Sequence, residues 1–355
     1  MPSLASPTAW VESLSPWPEK FGLGRMRGLL ERLGNPERRY PAIHVVGTNG
    51  KSTATRTIAA LLRAEGRRAG AYTSPHVRGW SERIWVDGDE ADFERAVARI
   101  KPDAEAVGAT QFEVLTAAAL AEFAERDVDV AVVEAGLGGR LDATNVVDAE
   151  VVLLTNVSLE HTDVLGETTE EIAEEKLAVA HAARVVVVPD NNLDHLLPKS
   201  AEIVKGGARE AAEAFLGRPI ASHVPVPLAG RFEERPGGEL WDGAHTPEAV
   251  DWLIERLPAR DYVVCVSILR DKDADGILQR LSRLGGTLVA TQSSNPRALD
   301  ADDLARRGRR WFSDVETVRD PVDAVARARE LGTPLVTGSL YLLADLYRAE
   351  EHETR

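Results

Sequence analysis

The stretch Ala42-Ile-His-Val-Val-Gly-Thr-Asn-Gly-Lys-Ser-Thr53 decides the fold of this chain. The apolar run at residues 43–46 predicts a buried strand of a parallel sheet, and a helix is predicted to start at Lys51 or Ser52. The turn between them, Gly47-Thr-Asn-Gly50, would point backbone N–H groups and the positive end of the helix dipole at one spot. This arrangement is typical of a site for the phosphates of a nucleoside triphosphate.

The side chains after this turn fit the same chemistry. Lys51 offers a cation to phosphate oxygens, and the hydroxyls of Ser52 and Thr53 suit a bound magnesium ion. The common phosphate loop has its first glycine at the position of Val45, so this loop is a shortened form that begins at Gly47. Gly-Lys-Ser alone is a weak signal, but the flanking strand and helix favour nucleotide binding over a tight turn with a surface lysine.

Composition excludes several classes of function. The 355 residues are enough for two domains, and 44% of them are hydrophobic, as in ordinary globular proteins. The net charge of −15 argues against nucleic acid or an anionic membrane as a partner. The single cysteine, Cys265, lies in an apolar run, and residues 1–18 show neither a basic nor an apolar signal segment. No stretch is apolar enough to span a bilayer, so a cytoplasmic protein is predicted.

Apolar runs alternate with helical patterns, which predicts an α/β fold with a mostly parallel sheet. In the first half, strands are predicted at 43–46, 68–72, 130–134, 151–154 and 184–188, and helices at 25–33, 53–64, 111–126 and 169–182. The polar section 190–222 is predicted to be loosely structured, and 224–230 to be an extended linker because proline restrains its neighbours. A second series follows, with strands at 239–242, 262–267, 287–291 and 335–337 and helices at 247–257, 274–284, 321–330 and 340–349. The predicted domains are therefore residues 1–224 and 225–355.

Polar residues follow several predicted strands, where the ligands of open α/β sheets bind. Glu134 ends a strand before a glycine-rich run and is placed to hold magnesium; a sharp turn with an exposed glutamate is the alternative. His161 follows the next strand and is a second candidate, although magnesium prefers oxygen ligands. Ser74 also follows a strand and offers a hydroxyl to a metal, but taken alone it favours a plain turn.

Lys176 lies on a predicted helix face with Ile172, Ala173, Val179 and Ala180. An apolar setting penalises the ammonium form, and a neutral amine can take up carbon dioxide to give a carbamate, an anion able to ligate a metal. The alternative is a packed stem whose charged head reaches solvent, and the residue pattern alone favours that alternative.

In the second half, Arg231 follows the linker, Asp242 and His245 follow a predicted strand, and Ser339 follows the last predicted strand. Asp242 can accept hydrogen bonds from a ribose hydroxyl. Arg231 can lie over a base or bind phosphate.

These pieces resemble, in the same order, the bifunctional dihydrofolate synthase/folylpolyglutamate synthase family of the Mur ligase superfamily. The resemblance covers most of the chain. The segments that carry it are 24–27, 47–51, 72–76, 82–84, 112–116, 134–145, 155–166, 175–176, 230–232, 242–245, 271–273, 295–297 and 337–339, together with Trp17.

The resemblance implies a Mur-ligase-like P-loop ATPase domain with a mostly parallel sheet and a smaller Rossmann-like α/β C-terminal domain. It implies an ATP-dependent amide ligase, in which a pterin or folate carboxylate takes the γ-phosphate to give an acyl phosphate and the amine of L-glutamate displaces the phosphate. The implied acceptors are dihydropteroate, the glutamate tail of reduced folates, or both. Magnesium is the implied cofactor, and whether a monovalent cation is also bound stays open. The resemblance further implies a monomer.

The resemblance also implies roles for single residues. ATP would be bound by Gly47, Thr48, Asn49, Gly50, Lys51, Ser52, Thr53, Arg231 and Asp242. Magnesium would be held by Thr53, Ser74, Glu134 and His161. The catalytic set would be Lys51, Glu134, His161 and Lys176, the last as a carbamate. Glutamate or folate would lie near Arg83, His245 and Ser339.

Some features depart from the family pattern. Ser52 follows the loop lysine where the family has glycine, and Thr246 follows His245 where the family has asparagine. The section between Lys176 and Gly230 is shortened. Two alternatives therefore stay open: a Mur-type ligase that joins an amino acid to a different carboxylate, and a non-catalytic homologue that binds nucleotide or folate.

Overall fold

The computed structural model describes residues 6–159, 161–190 and 193–353. The chain divides into two compact units, Met1–Val226 and Pro227–Arg355. The division falls in an irregular stretch that also contains the sequence-based boundary between Val224 and Pro225. No helix in the described ranges is both long and apolar enough to cross a membrane.

The first unit is built on a mostly parallel sheet, as the alternating pattern predicted. Its described strands are β1 (Ala42–Val46), β2 (Ala69–Tyr72), β3 (Ile84–Val86), β4 (Asp89–Glu90), β5 (Val130–Glu134), β6 (Ala149–Leu154), β7 (Val185–Val188) and β8 (Glu202–Lys205). They lie in the order β4-β3-β2-β5-β1-β6-β7-β8. At one edge of the sheet, β3 pairs antiparallel with both β2 and β4, whereas the other pairs are parallel. The loops after β1, β2, β5 and β6 therefore leave the sheet at the same edge.

Helices cover both faces of this sheet because successive side chains of a strand point to opposite sides. Val130 and Val132 of β5 belong to the core on the face of α3 and α8, whereas Ala131 and Val133 belong to the core on the face of α2, α4 and α5. The described α-helices are α1 (Pro7–Ser13), α2 (Gly24–Arg32), α3 (Lys51–Ala64), α4 (Phe93–Val107), α5 (Gln111–Glu125), α6 (Thr162–Leu165), α7 (Thr169–Leu177) and α8 (Ala208–Leu216). Short 3-10 helices lie at Pro36–Arg38, Trp80–Arg83, Ala178–Ala182 and Asp194–Leu196.

The first unit differs from the sequence-based prediction in several parts, and α1, β3, β4 and α6 are among the elements that were not predicted. The section 190–222 contains β8 and α8, so the prediction of a loose section is wrong. Strand β8 is mostly exposed, and the buried residues of α8 are Ala211 and Ala212, so neither element shows a strong apolar pattern. Helix α4 was not predicted, since Pro102 lies inside it. The helix predicted at 169–182 is an α-helix only as far as Leu177.

The second unit has its own parallel sheet and core. Its described strands are β9 (Glu233–Glu234), β10 (Leu240–Trp241), β11 (Val263–Val266), β12 (Thr287–Ala290), β13 (Asp314–Thr317) and β14 (Pro334–Thr337). Its described α-helices are α9 (Pro247–Ile254), α10 (Ala274–Leu281), α11 (Ala301–Gly308), α12 (Pro321–Leu331) and α13 (Leu340–Glu353), with 3-10 helices at Pro236–Gly238 and Ser282–Leu284. The strand order is β13-β12-β11-β14-β10-β9, and only β9 pairs antiparallel. Cys265 lies in β11, between two neighbouring strands, and burial raises the pKa of its thiol to about 12.

Candidate active site

The turn predicted to cradle phosphates lies between β1 and α3. Gly47 has a φ of +145° and Gly50 a φ of +79°, backbone conformations that glycine adopts readily. A Cβ atom on Gly47 would lie 2.0 Å from Thr155 Oγ1, so no side chain fits at this position. Gly50 directly precedes Lys51, the first residue of α3. The first N–H groups of this helix, which have no partner inside it, therefore face the turn.

The segment after β6 holds the turn in shape. Thr48 N donates to Asn156 O at 3.0 Å, and Asn49 N donates to Asn156 Oδ1 at 2.8 Å. Thr155 Oγ1 donates to Asn49 O at 2.7 Å, and Ser158 N donates to Thr48 Oγ1 at 3.1 Å. Asn156 was not predicted as a functional residue, although its position directly after β6, the strand beside β1, is a sequence signal that identifies it.

Two lysine side chains meet at one carbonyl of the turn. Lys51 Nζ donates to Gly47 O at 3.0 Å and to Thr48 O at 3.1 Å. Lys176 Nζ, from α7, also donates to Gly47 O at 3.0 Å. Lys176 is 2% exposed, so its head does not reach solvent and the alternative of a solvent-seeking lysine is wrong. Two cations at one acceptor repel each other, so this place favours an anion such as a phosphate group.

The Glu134 carboxylate ends β5 and is 1% exposed. Its Oε1 accepts a hydrogen bond from Ser52 Oγ at 3.0 Å, and its Oε2 accepts one from Ser74 N at 3.0 Å. The alternative of an exposed glutamate on a turn is therefore wrong. Ser52 is the hydroxyl beside this carboxylate, whereas Thr53 is exposed. The structure therefore brings the Ser52 hydroxyl, rather than that of Thr53, next to Glu134, and the role of each hydroxyl as a metal ligand stays a prediction.

The oxygens around Glu134 suit a hard divalent cation. Within the described ranges, no group of three or more His, Cys, Asp and Glu side chains could hold a metal ion. A magnesium ion at this place would take the Glu134 carboxylate, the Ser52 and Ser74 hydroxyls, and phosphate oxygens. His161 precedes α6, is exposed and has a φ of +46°. Its role as a metal ligand stays a prediction.

Arg83 is a buried cation whose charge acts on Glu134. It is 9% exposed, and its Nε donates to His76 Nδ1 at 2.9 Å. Burial lowers the pKa of Arg83, while the Tyr72 hydroxyl and the Glu134 carboxylate oppose this effect. Burial also raises the pKa of Tyr72 to about 12, so its hydroxyl stays neutral. A buried guanidinium suits a carboxylate ligand, and the substrate role of Arg83 stays a prediction.

In the second unit, Asp242 joins the segment that precedes β9 to the loop that follows β10. It is 6% exposed, its Oδ2 accepts from Phe232 N at 2.7 Å, and its Oδ1 accepts from Ala244 N at 2.8 Å. Burial raises the pKa of Asp242, and the nearby Arg231 guanidinium opposes this effect. The structure therefore brings Arg231 and Asp242 together, and their contacts with a nucleotide stay predictions.

His245 and Ser339 lie on loops that a hydrogen bond joins. Gly338 N donates to Ala244 O at 3.0 Å, which connects the loop after β14 to the loop after β10. His245 Nδ1 lies 2.7 Å from Gly243 O. The buried Ser339 Oγ accepts from Tyr341 N at 3.1 Å in the first turn of α13. Ser339 therefore has a role in the backbone of this loop besides its predicted substrate contact.

Comparisons with known proteins agree with this geometry. The model of the Mur ligase middle domain matches residues 45–223. The dihydrofolate synthase/folylpolyglutamate synthase of Mycobacterium tuberculosis is 33% identical, over 86% of this chain and 83% of its own length. The solved structure of Escherichia coli FolC in complex with DHPP and ADP is 26% identical with a TM-score of 0.86, over 99% of each chain. That of the bifunctional Yersinia pestis enzyme with AMPPNP and an Mn ion is 28% identical with a TM-score of 0.85, over 98% of each chain.

The resemblance read from the sequence motifs is thereby confirmed. The middle-domain match begins in β1, just before the phosphate-binding turn, and includes Glu134 and Lys176. The chain belongs to the dihydrofolate synthase/folylpolyglutamate synthase family of Mur-type, ATP-dependent ligases.

Proposed function

We propose that this protein is an ATP-dependent carboxylate–amine ligase that adds L-glutamate to dihydropteroate, to the glutamate tail of reduced folates, or to both. Membership of the family supports the ligase chemistry, and the names of the relatives support these substrates. The observation that carries the proposal is the placement of Glu134, whose carboxylate contacts Ser52 in the first turn of α3 and Ser74 in the segment after β2.

The first step transfers the γ-phosphoryl group to the acceptor carboxylate. A carboxylate oxygen bonds to the γ-phosphorus, the bond to the β–γ bridging oxygen breaks, and ADP leaves behind an acyl phosphate. The N–H groups of the turn at 47–50 and the Lys51 ammonium bind the phosphates, so the protein contributes chiefly positioning and electrostatics. Magnesium bound by Glu134, Ser52 and Ser74 would neutralise charge on the transferred group.

The second step joins the amine of glutamate to the activated acid. The amine nitrogen bonds to the acyl carbon, the carbon–oxygen bond to phosphate breaks, and the proton lost by the amine passes to solvent. His245 and Ser339 are proposed to bind the glutamate, and Arg231 and Asp242 to contact the nucleotide. The support for these four roles is the family resemblance and the proximity of these residues within each pair of loops.

Lys176 is proposed to act as its carbamate. The ammonium first loses a proton, and the nitrogen of the neutral amine then adds to carbon dioxide with release of a second proton, so that a cation becomes an anion. The support is that Lys176 is buried and shares the Gly47 carbonyl with Lys51, so loss of its positive charge would remove a repulsion between two ammonium groups.

The proposed setting is a cytoplasmic monomer that acts on small molecules, without nucleic-acid or membrane partners. The support is the net charge of −15 and the single, buried cysteine. Magnesium is the proposed metal, and the Mn ion in the Yersinia pestis enzyme supports a divalent cation in the family. A monovalent cation is proposed only as a further bound ion, in addition to magnesium.

The mass of the product tests this proposal. The purified protein is incubated with ATP, magnesium and glutamate and, separately, with dihydropteroate and tetrahydrofolate. One added glutamate on dihydropteroate would establish dihydrofolate synthase activity, and further additions on tetrahydrofolate would establish chain extension. No adduct with either, despite binding of ATP, would favour a different acceptor or a non-catalytic homologue. Lys51→Ala should form no ADP, whereas the matched change of the exposed Lys199 to alanine should have no effect.

A further inference from the structure

A buried chain of hydrogen bonds runs from β1 to the glycine-rich turn at residues 136–144, which follows β5. His44, in the middle of β1, is fully buried, and its Nε2 lies 2.9 Å from Thr144 Oγ1. The Thr144 hydroxyl also contacts Asp142 Oδ1. Since an ionised carboxylate only accepts hydrogen bonds, Thr144 donates to Asp142 and therefore accepts from His44. This direction places the proton of a neutral His44 on Nε2.

The Asp142 carboxylate holds the turn from inside. Its Oδ2 accepts from Leu137 N at 2.7 Å, and its Oδ1 accepts from Thr144 N at 2.9 Å. A backbone hydrogen bond from Gly136 acts on the same carboxylate. Asp142 thus ties the beginning of the turn to its end, and its oxygens are occupied by groups of the turn itself.

The turn at residues 136–144 also fixes the end of α7. A Cβ atom on Gly139 would lie 2.5 Å from Lys176 O, so the two backbones are in close contact. Arg140 N donates to Glu175 O at 3.1 Å and to Glu175 Oε1 at 3.0 Å. From this position the side chain of Lys176 reaches the phosphate loop, where its Nζ donates to Gly47 O at 3.0 Å.

We propose that His44 is a positioning residue for ligation. Through Thr144 and Asp142 it fixes the turn at residues 136–144. This turn packs against the backbone of Lys176 and so holds the Lys176 side chain at the phosphate loop. The inference rests on the proposed function, because it gives Lys176 a part in the ligation step. His44 lies on the strand that leads directly into the phosphate loop, so the chain of contacts starts and ends on the same strand–turn segment.

The residue type at this position supports the proposal. The other residues of β1 are alanine, isoleucine and valine, and all are buried. Within the described part of the chain, His44 Nδ1 is a buried atom without a hydrogen-bond partner. An unpartnered polar atom in a core opposes folding, so packing alone would favour an apolar residue here. The presence of an imidazole at this position is explained by the hydrogen bond that its Nε2 makes to Thr144.

Removal and replacement of the donor test this inference. His44→Leu and Thr144→Val remove the chain, whereas His44→Gln keeps an N–H donor near the position of Nε2. We expect kcat to fall by about tenfold or more in the first two variants, with the Kd of ATP changed by less than about threefold, and His44→Gln to recover most of kcat. Thr291→Val is the matched control, since it removes a buried threonine hydroxyl that donates to Arg319 O at 3.0 Å. It should lower the melting temperature without lowering kcat.

Folded His44→Leu and Thr144→Val proteins with kcat within about twofold of wild type, or a His44→Gln variant as slow as His44→Leu, would overturn the proposal. If the variants do not fold, the tautomer in the intact wild-type protein decides. With ¹⁵N-labelled histidine, NMR should show the His44 proton on Nε2, and a proton on Nδ1 would contradict the chain. Failure of the proposed function would instead appear as a wild-type protein that forms no glutamate adduct, and the tautomer result would stand apart from it.

Discussion

Ser52 Oγ and Glu134 Oε1 lie 3.0 Å apart, which joins the first turn of α3 to the carboxyl end of β5. The second oxygen of the same carboxylate accepts from Ser74 N at 3.0 Å, so the segments after β1, β2 and β5 meet at one side chain. Glu134 is therefore the candidate metal ligand, and its hydrogen bonds also connect the segments that follow β1 and β2 to the end of β5.

Replacement of Glu134 should stop ligation without preventing binding of the folate substrate. Glu134→Ala removes the carboxylate proposed to hold magnesium at the γ-phosphate, so we expect turnover to fall by about a hundredfold or more. Product mass and fluorescence titration with dihydropteroate measure the two effects. Glu150→Ala changes an exposed glutamate of β6 and serves as the control. Near-normal turnover of Glu134→Ala would exclude the metal assignment.

Alanine at Gly47 should harm ATP binding more than alanine at Gly50. Both glycines have positive φ, so each change carries a conformational cost of about 1–2 kcal/mol. At Gly47 the new Cβ would also lie 2.0 Å from Thr155 Oγ1, whereas nothing lies within 4 Å of a Cβ on Gly50. Calorimetric titration with ATP measures the difference. Equal losses of affinity would show that the contact with Thr155 does not shape the loop.

A carbamate on Lys176 should be visible by NMR after equilibration with ¹³C-bicarbonate. We expect one carbamate carbon signal in the wild-type protein that is absent from Lys176→Ala and kept in Lys205→Ala, a change in β8. Lys176→Ala should also lose ligation, because the carbamate proposed to ligate the metal beside the phosphates is gone. Full activity of the wild-type protein without a carbamate signal would remove the modification from the mechanism.

The buried His44 should make the folded protein sensitive to acid. Burial lowers the pKa of His44 from 6.5 to about 3, so below pH 6.5 the unfolded chain binds a proton that the folded protein does not. As the pH decreases below 6.5, the free energy of unfolding should therefore decrease, by about 1.4 kcal/mol per pH unit from this group. In His44→Gln this decline should be shallower by that amount, while His223→Gln, at an exposed site, serves as the control. Urea unfolding between pH 7 and pH 4 checks it, and parallel declines in all three proteins would contradict the burial of a neutral imidazole.

The central strands were predictable because β1, β5, β6 and β7 are buried on both faces and are therefore nearly continuous apolar runs. Strand β8 escaped because an edge strand can expose most of its side chains. The turn at 47–50 was predictable because its glycines and the following lysine are adjacent in sequence. These signals are local, and they define the sheet and its phosphate-binding edge.

The contacts within the site were less predictable. Ser52 and Thr53 both offer hydroxyls, and successive residues of a helix differ by about 100° in direction, so sequence alone does not say which one faces Glu134. Lys176 has an apolar helix face whether its head is buried or reaches solvent. His44 resembles any other residue of an apolar strand until its distant partner Thr144 is known.

Cys265 is the single cysteine of these 355 residues, and its thiol lies in the central part of the second unit's sheet. A thiol-specific reagent can reach it only when that sheet opens, so the rate of labelling reports on opening of the second unit and is insensitive to events confined to the first. A probe attached through a cysteine introduced on the surface would likewise label one chosen position, since the native thiol is both buried and strongly protonated.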